Sequence, residues 1–127
     1  MEYESSPVGN EISCVMHGVP KKILLDNNFL EKSLLYALKI DKFTILKVFR
    51  HQFKPQGLTI LVLLSESHAA IHTYPEHDSL YFSIYTCRGE FDGKNVFENL
   101  KKSFRTASVD IAERPIVVSP AINFVKA

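Results

Sequence analysis

Residues 58–64, Leu-Thr-Ile-Leu-Val-Leu-Leu, are apolar at every position but one. A run this short, rich in branched side chains, is read as a β-strand that is buried on both faces or lies inside a sheet. Residues 42–53 alternate and carry β-branched and aromatic side chains, and Pro55-Gln56-Gly57 separates the two runs as a turn. The pair therefore predicts a hairpin, and the hairpin demands a sheet with further strands around it.

The remaining elements follow from periodicity. Ile12, Cys14 and Met16 alternate within a strand over 10–17, which Gly18-Val19-Pro20 ends. Asp26-Asn27-Asn28 supplies acceptors for a helix start, and Phe29, Leu30, Leu34, Leu35 and Leu38 form one apolar helical face. Strand residues return over 79–87, residues 89–93 are a loop, and a second helix from about Asp92 aligns Val96, Phe97, Leu100 and Phe104. Lys101, Lys102 and Arg105 near its end suit the negative pole of the helix dipole and read as a solvated face. A short strand over 109–111 precedes a proline-containing tail, and residues 1–8 read as a loose arm.

These elements make an α+β fold. We expect a two-layer α/β sandwich, an antiparallel sheet covered on one face by two helices, with an internal β-α-β-β duplication. The other sheet face is expected to be apolar and uncovered, so a homodimer that buries it or extends the sheet is anticipated.

Length and charge narrow the function. A chain of 127 residues fits one domain, and 46% hydrophobic with 23% charged residues is ordinary for a globular protein. A net charge of +1, from 15 basic and 14 acidic residues, gives little field for nucleic acid or an anionic membrane. Met1-Glu2-Tyr3-Glu4-Ser5-Ser6-Pro7 lacks the basic and apolar blocks of a secretory signal, and no apolar run approaches the roughly 20 residues of a membrane span. A cytoplasmic location is expected, with Cys14 and Cys87 as free thiols and no Cys/His metal pattern.

The apolar run ends in Ser65-Glu66-Ser67-His68-Ala69-Ala70-Ile71-His72-Thr73-Tyr74-Pro75-Glu76. A serine held at a strand end, with imidazoles near, has the Glu66 carbonyl as its nearest electrophile. In an extended segment Ser67 and His72 fall on opposite faces, so a fold-back at Glu66-Ser67 is needed to join them. Spacing alone does not separate this from a plain hairpin turn with His72 hydrogen-bonded in the core. Cys87 reads either as a proton donor or as a small buried hydrophobe, and Cys14 only as the latter. Phe53 and Tyr74 read as core or as a sandwich for a flat ring. Glu76 reads as exposed or as an acceptor for ribose hydroxyls or an amine.

Taken together, His51-Gln52-Phe53-x-Pro55-x-Gly57, the segment from Ser65 to Glu76, and Thr86-Cys87 resemble the short prokaryotic S-adenosylmethionine decarboxylase proenzymes. The resemblance implies a single domain over 1–127 that cleaves itself between Glu66 and Ser67, giving a β chain of residues 1–66 and an α chain of 67–127. Ser67 becomes a covalent pyruvoyl group that condenses with the substrate amine, so no pyridoxal phosphate and no metal is required. The same resemblance implies processing help from His72 and Thr59. Cys87 is implied to act both in processing and as catalytic proton donor, Phe53 and Tyr74 to stack on adenine, and Glu76 to hold the ribose. The implied partners are a small-molecule substrate, feeding spermidine synthesis, and a second processed αβ protomer.

The chain departs from the family pattern at several points. Thr59 stands where a serine is common, Ile60 where glycine is usual, Tyr74 where Trp is frequent, and Arg88 follows Cys87 in place of glycine. His77-Asp78 and Ser83 also differ from the usual residues. These changes keep open a pyruvoyl-dependent ornithine or arginine decarboxylase, and an unprocessed, non-catalytic homologue.

Overall fold

The computed structural model describes residues 6–118. In chain order it contains β1 (Val8–His17), α1 (Lys21–Leu24), α2 (Asn27–Ile40), β2 (Ile45–Gln52), β3 (Leu58–Leu64), β4 (Ser67–Tyr74), β5 (Ser79–Thr86), α3 (Lys94–Ser103) and β6 (Ser108–Val117). The strands form one six-stranded antiparallel sheet in the order β2-β3-β4-β5-β1-β6. Each half of the chain contributes three strands and one long helix, in the order β-α-β-β and then β-β-α-β.

The helices start where the side chains provide for it. Asp26 caps α2, its carboxylate accepting from the Phe29 amide at 3.0 Å. Leu30, Leu34, Ala37 and Leu38 of α2 and Val96, Phe97, Leu100 and Phe104 in and after α3 are buried together. They pack on the sheet face made by Ile12, Cys14, Met16, Ile60, Val62, Ile71, Phe82 and Ile84. Both long helices thus cover a single face, as the apolar periodicity predicts. Among the described residues no helix is long and apolar enough to cross a membrane.

Four expectations change. Phe29 sits at the rim of its helix face, edge-on to Phe104 with ring centroids 6.3 Å apart, while Ala37 fills the centre. The chain also forms an additional helical turn, α1, after Pro20. β3 is interior in the sheet but buried on one face only, because no layer formed by the described residues covers Leu61 and Leu63, which are 45% and 46% exposed. The last strand is far longer than 109–111, pairing with β1 from Val8↔Val117 to His17↔Ser108. Pro115 is accommodated within it because β6 is an edge strand, where a missing amide interrupts no second ladder.

The open sheet face is apolar only in part. Phe49, Leu61 and Leu63 are exposed at the β2–β3 side. Strand register carries Tyr81, Ser83 and Tyr85 of β5, Glu11 and Ser13 of β1, and Arg114 of β6 across the other side. Residues 119–127 of the tail and the first five residues of the arm lie outside the described residues.

Candidate active site

The hairpin joining β3 to β4 places the predicted scissile peptide at the end of the sheet. Leu64 pairs with Ser67, leaving Ser65 and Glu66 as a two-residue turn. The Ser65 amide donates to the Thr44 carbonyl at 3.1 Å. Glu66 adopts a left-handed backbone with φ of 58°. For a residue with a Cβ this conformation costs about 1–2 kcal/mol, so the turn carries local strain beside the Glu66–Ser67 bond.

Ser67 is 5% exposed, its hydroxyl turned away from water at the first position of β4. Cys87, the residue after β5, contacts both sides of the peptide bond. Its amide donates to Ser67 Oγ at 3.2 Å, and its thiol donates to the Glu66 carbonyl oxygen at 2.9 Å. The hydroxyl, the carbonyl it would attack, and a donor for that carbonyl therefore meet at one point. The β4–β5 pairing brings them there from positions twenty apart.

Tyr85 completes this cluster. Its hydroxyl lies 3.5 Å from Cys87 Sγ, and the hydrogen bond with Cys87 raises the phenol above its ordinary pKa, with burial and the charge of Glu66 adding to the effect. Tyr85 was not singled out from sequence, although it sits two residues before Cys87 in a strand, the spacing that shares a face. A depression of about 350 Å³ beside it is lined by Glu11, Ser13, His68, Tyr81, Ser83 and Tyr85. The other thiol is different in kind. Cys14 is in the core, and burial pushes its pKa up to about 11.

A second group forms at the far end of β4. His72 Nδ1 lies 2.9 Å from Thr59 Oγ1, the directly paired residue on β3. Tyr74 and Phe53 are 47% and 49% exposed, and Glu76 is exposed in the 3-10 turn over Pro75–His77. Phe53 is not core; it lies against His51, with ring centroids 4.6 Å apart.

Gly57 sits beside Phe53, whose amide donates to its carbonyl at 2.8 Å. A Cβ there would stand 3.6 Å from Phe53 and 4.0 Å from the Thr73 carbonyl, and its φ of +118° suits glycine.

Within one chain the fold does not unite Ser67 with His72. The turn falls at Ser65-Glu66, so β4 is already extended at Ser67 and no fold-back forms. Five residues of extended strand separate the two by about 16 Å, on opposite sheet faces. Among the described residues no group of three or more His, Cys, Asp and Glu side chains is placed to hold a metal ion.

Comparison with known proteins identifies the family and the fold. The S-adenosylmethionine decarboxylase proenzyme of Brevibacillus brevis is 45% identical over 87 residues, covering 68% of this chain and 64% of that protein. S-adenosylmethionine decarboxylase proenzyme 2 of Bacillus anthracis is 44% identical over 87 residues, covering 68% and 69% respectively. The crystal structure of the adenosylmethionine decarboxylase from Aquifex aeolicus has the same fold, with a TM-score of 0.83 over 95% of this chain and 100% of that one at 22% identity. A model of the S-adenosylmethionine decarboxylase family matches residues 10–115, from β1 into β6 and through the Glu66–Ser67 turn and Cys87, and the chain belongs to that family.

Proposed function

We propose that this protein cleaves its own Glu66–Ser67 bond and then decarboxylates S-adenosylmethionine. The observation that carries the first step is the double contact of Cys87 with Ser67 Oγ and the Glu66 carbonyl. Ser67 Oγ attacks that carbonyl carbon, and the negative charge that develops on the Glu66 oxygen is met by the Cys87 thiol. The carbon–nitrogen bond breaks as the ester forms, the hydroxyl proton passes to the departing nitrogen to give the Ser67 amine, and the backbone strain at Glu66 is released.

Removal of the Ser67 α-proton then expels the Glu66 carboxylate, breaking the ester carbon–oxygen bond. The dehydroalanine left on residue 67 takes up water, loses ammonia and becomes a pyruvoyl group. The residues around Ser67 fit this course, since the hydroxyl is buried, aligned by an amide, and adjacent to a donor. When present, the pyruvoyl carbonyl supplies the electron sink for loss of CO2 from an amino acid. Cys87 Sγ is the proton donor for the α-carbon that remains. Phe53 and Tyr74 offer exposed faces to an adenine and a sulfonium charge, and Glu76 offers acceptors to ribose hydroxyls.

The protein acts as a homodimer of processed protomers in this reading. Exposed Phe49, Leu61 and Leu63 give the open face an apolar patch to bury. Two-fold packing of open faces lays the Ser67 end of one β4 against the His72 end of the other, which adds the partner's imidazole to that of His68 beside the cleavage turn. The relatives compared above are named as adenosylmethionine decarboxylases, and no feature of the site favours ornithine, arginine or a non-catalytic role.

The test is intact mass followed by a substrate screen. Purified wild type is expected as two fragments divided at Glu66/Ser67, Ser67→Ala as one chain, and CO2 release from adenosylmethionine but not from ornithine or arginine. A wild-type chain that stays whole, or one that prefers either basic amino acid, overturns the reading.

A further inference from the structure

We infer that Arg88 is a positioning residue for self-cleavage, locking Cys87 onto the Glu66–Ser67 peptide through a planar clamp to Asp92, Asp41 and Phe43. The inference rests on cleavage at Glu66–Ser67 as proposed above. It starts from a mechanical question. Cys87 must hold two contacts on the scissile peptide at once, yet it lies just beyond the sheet. The β1–β5 ladder ends at Asn10↔Thr86 and the β4–β5 ladder at His68↔Tyr85, so neither ladder restrains Cys87.

The loop that follows offers little packing. Gly89 has a φ of +113° with no atom within 4 Å of where a Cβ would stand, and Glu90 and Phe91 are exposed. What fixes this end of the loop is the Arg88 side chain. Its Nε and Nη2 donate in parallel to the two Asp92 carboxylate oxygens at 2.7 and 3.0 Å. Nη1 donates to the Asp41 carbonyl at 2.8 Å, and the guanidinium carbon sits 3.5 Å from the centroid of the Phe43 ring.

Each contact anchors Cys87 to a different rigid element. Asp41 caps the C-terminus of α2, where the helix dipole favours a cation, and its carboxylate also accepts from Asn95 of α3 at 3.3 Å. The Asp92 carbonyl accepts at 2.8 Å from Asn10, which is fully buried on β1. The clamp thus ties the residue next to Cys87 to the end of α2, to α3 through Asn95 and to β1 through Asn10. A bidentate guanidinium–carboxylate pair stacked on a ring sets an orientation that a flexible ammonium cannot reproduce.

The experiment uses the full-length chain, refolded from denaturant, with cleavage followed by intact mass. Arg88→Gly and Arg88→Lys are compared with wild type, and their melting temperatures are measured with Ser67→Ala added so that all chains stay whole. Both variants are expected to fold, with Arg88→Lys melting close to its parent, and both to cleave at least tenfold more slowly. Because the defect lies in the attack on Glu66, hydroxylamine, which cuts esters, is expected to release no extra fragment from them.

Wild-type cleavage rates in both variants overturn the inference. So does full recovery in Arg88→Lys, which would mean that charge alone suffices. Rapid hydroxylamine cleavage of the slow variants also overturns it, because the ester would then form without the clamp. A wild-type chain that never cleaves removes the functional reading itself, and the inference falls with it.

Discussion

The two ends of β4 are built on opposite principles. At the Ser67 end the chain meets itself: a strained turn, a buried hydroxyl and a thiol from the next strand are held within hydrogen-bond distance. At the His72 end the imidazole has Thr59, but the aromatic side chains of Phe53 and Tyr74 stand half in solvent, uncovered by the described residues. The first end assembles the nucleophile, the carbonyl it attacks and a donor for that carbonyl, and in the reading above takes further help from the His72 end of a second copy. The second is complete only as a surface for something else, a ligand or a second copy. One strand therefore separates the bond to be broken from the imidazole proposed to assist its cleavage and from the groups proposed to hold a substrate.

The largest test of this separation mixes two defective chains. Ser67→Ala and His72→Ala are each expected to remain uncleaved alone. If one protomer's His72 serves the other's Ser67, unfolding and refolding them together restores cleavage of the His72→Ala chain, read by mass. An uncleaved mixture places both functions within one chain and erases the distinction between the two ends.

Cys87→Ala probes the Ser67 end. Loss of one donor to a developing oxyanion slows such reactions by about 10²–10³-fold, and cleavage measured by mass over time is expected to fall by that order. Thr59→Val at the other end is expected to leave the Cys87 contacts intact and to slow cleavage less.

A smaller effect concerns acid. Burial pushes the Asp92 carboxyl up, but its hydrogen bonds with Arg88 and the charge of that guanidinium outweigh burial and hold it below the usual carboxylate range. A depressed carboxylate contributes stability above its unfolded pKa of about 4, and that stability is lost as pH falls through the folded value. Denaturation of a Ser67→Ala chain is expected to show this acid loss, and Asp92→Asn to flatten it while lowering stability at neutral pH.

The smallest change is Glu66→Gly. Glycine removes the left-handed penalty, so the unprocessed Ser67→Ala chain is expected to gain about 1 kcal/mol in urea denaturation. No gain would show that the turn at the cleavage end is unstrained.

Much of the fold was legible because it is written in local periods. Alternation marks β1 and β5, the 3.6-residue spacing of Leu30, Leu34 and Leu38 marks α2, and Asp26 marks its start. The length of β6 was not legible, because Pro115 reads as a strand breaker until its edge position is known. The polar half of the open face was missed for a related reason. Tyr81, Ser83 and Tyr85 alternate with buried residues, but sequence does not say which strands lie beside them.

For the site, sequence by itself determined the residue types, the parity that puts Ser67 and His72 on opposite faces of any extended strand, and the family pattern around Glu66–Ser67. Tertiary structure decided where the turn falls, that Cys87 touches both sides of that bond, and that Arg88 is clamped between Asp41 and Phe43 after α2 and Asp92 before α3. The physical reason is range. Backbone geometry within one element repeats every two or 3.6 residues and can be counted along the chain. Contacts between Ser67 and Cys87, or Arg88 and Asp41, depend on strand order and register, which arise only when a whole sheet buries its core.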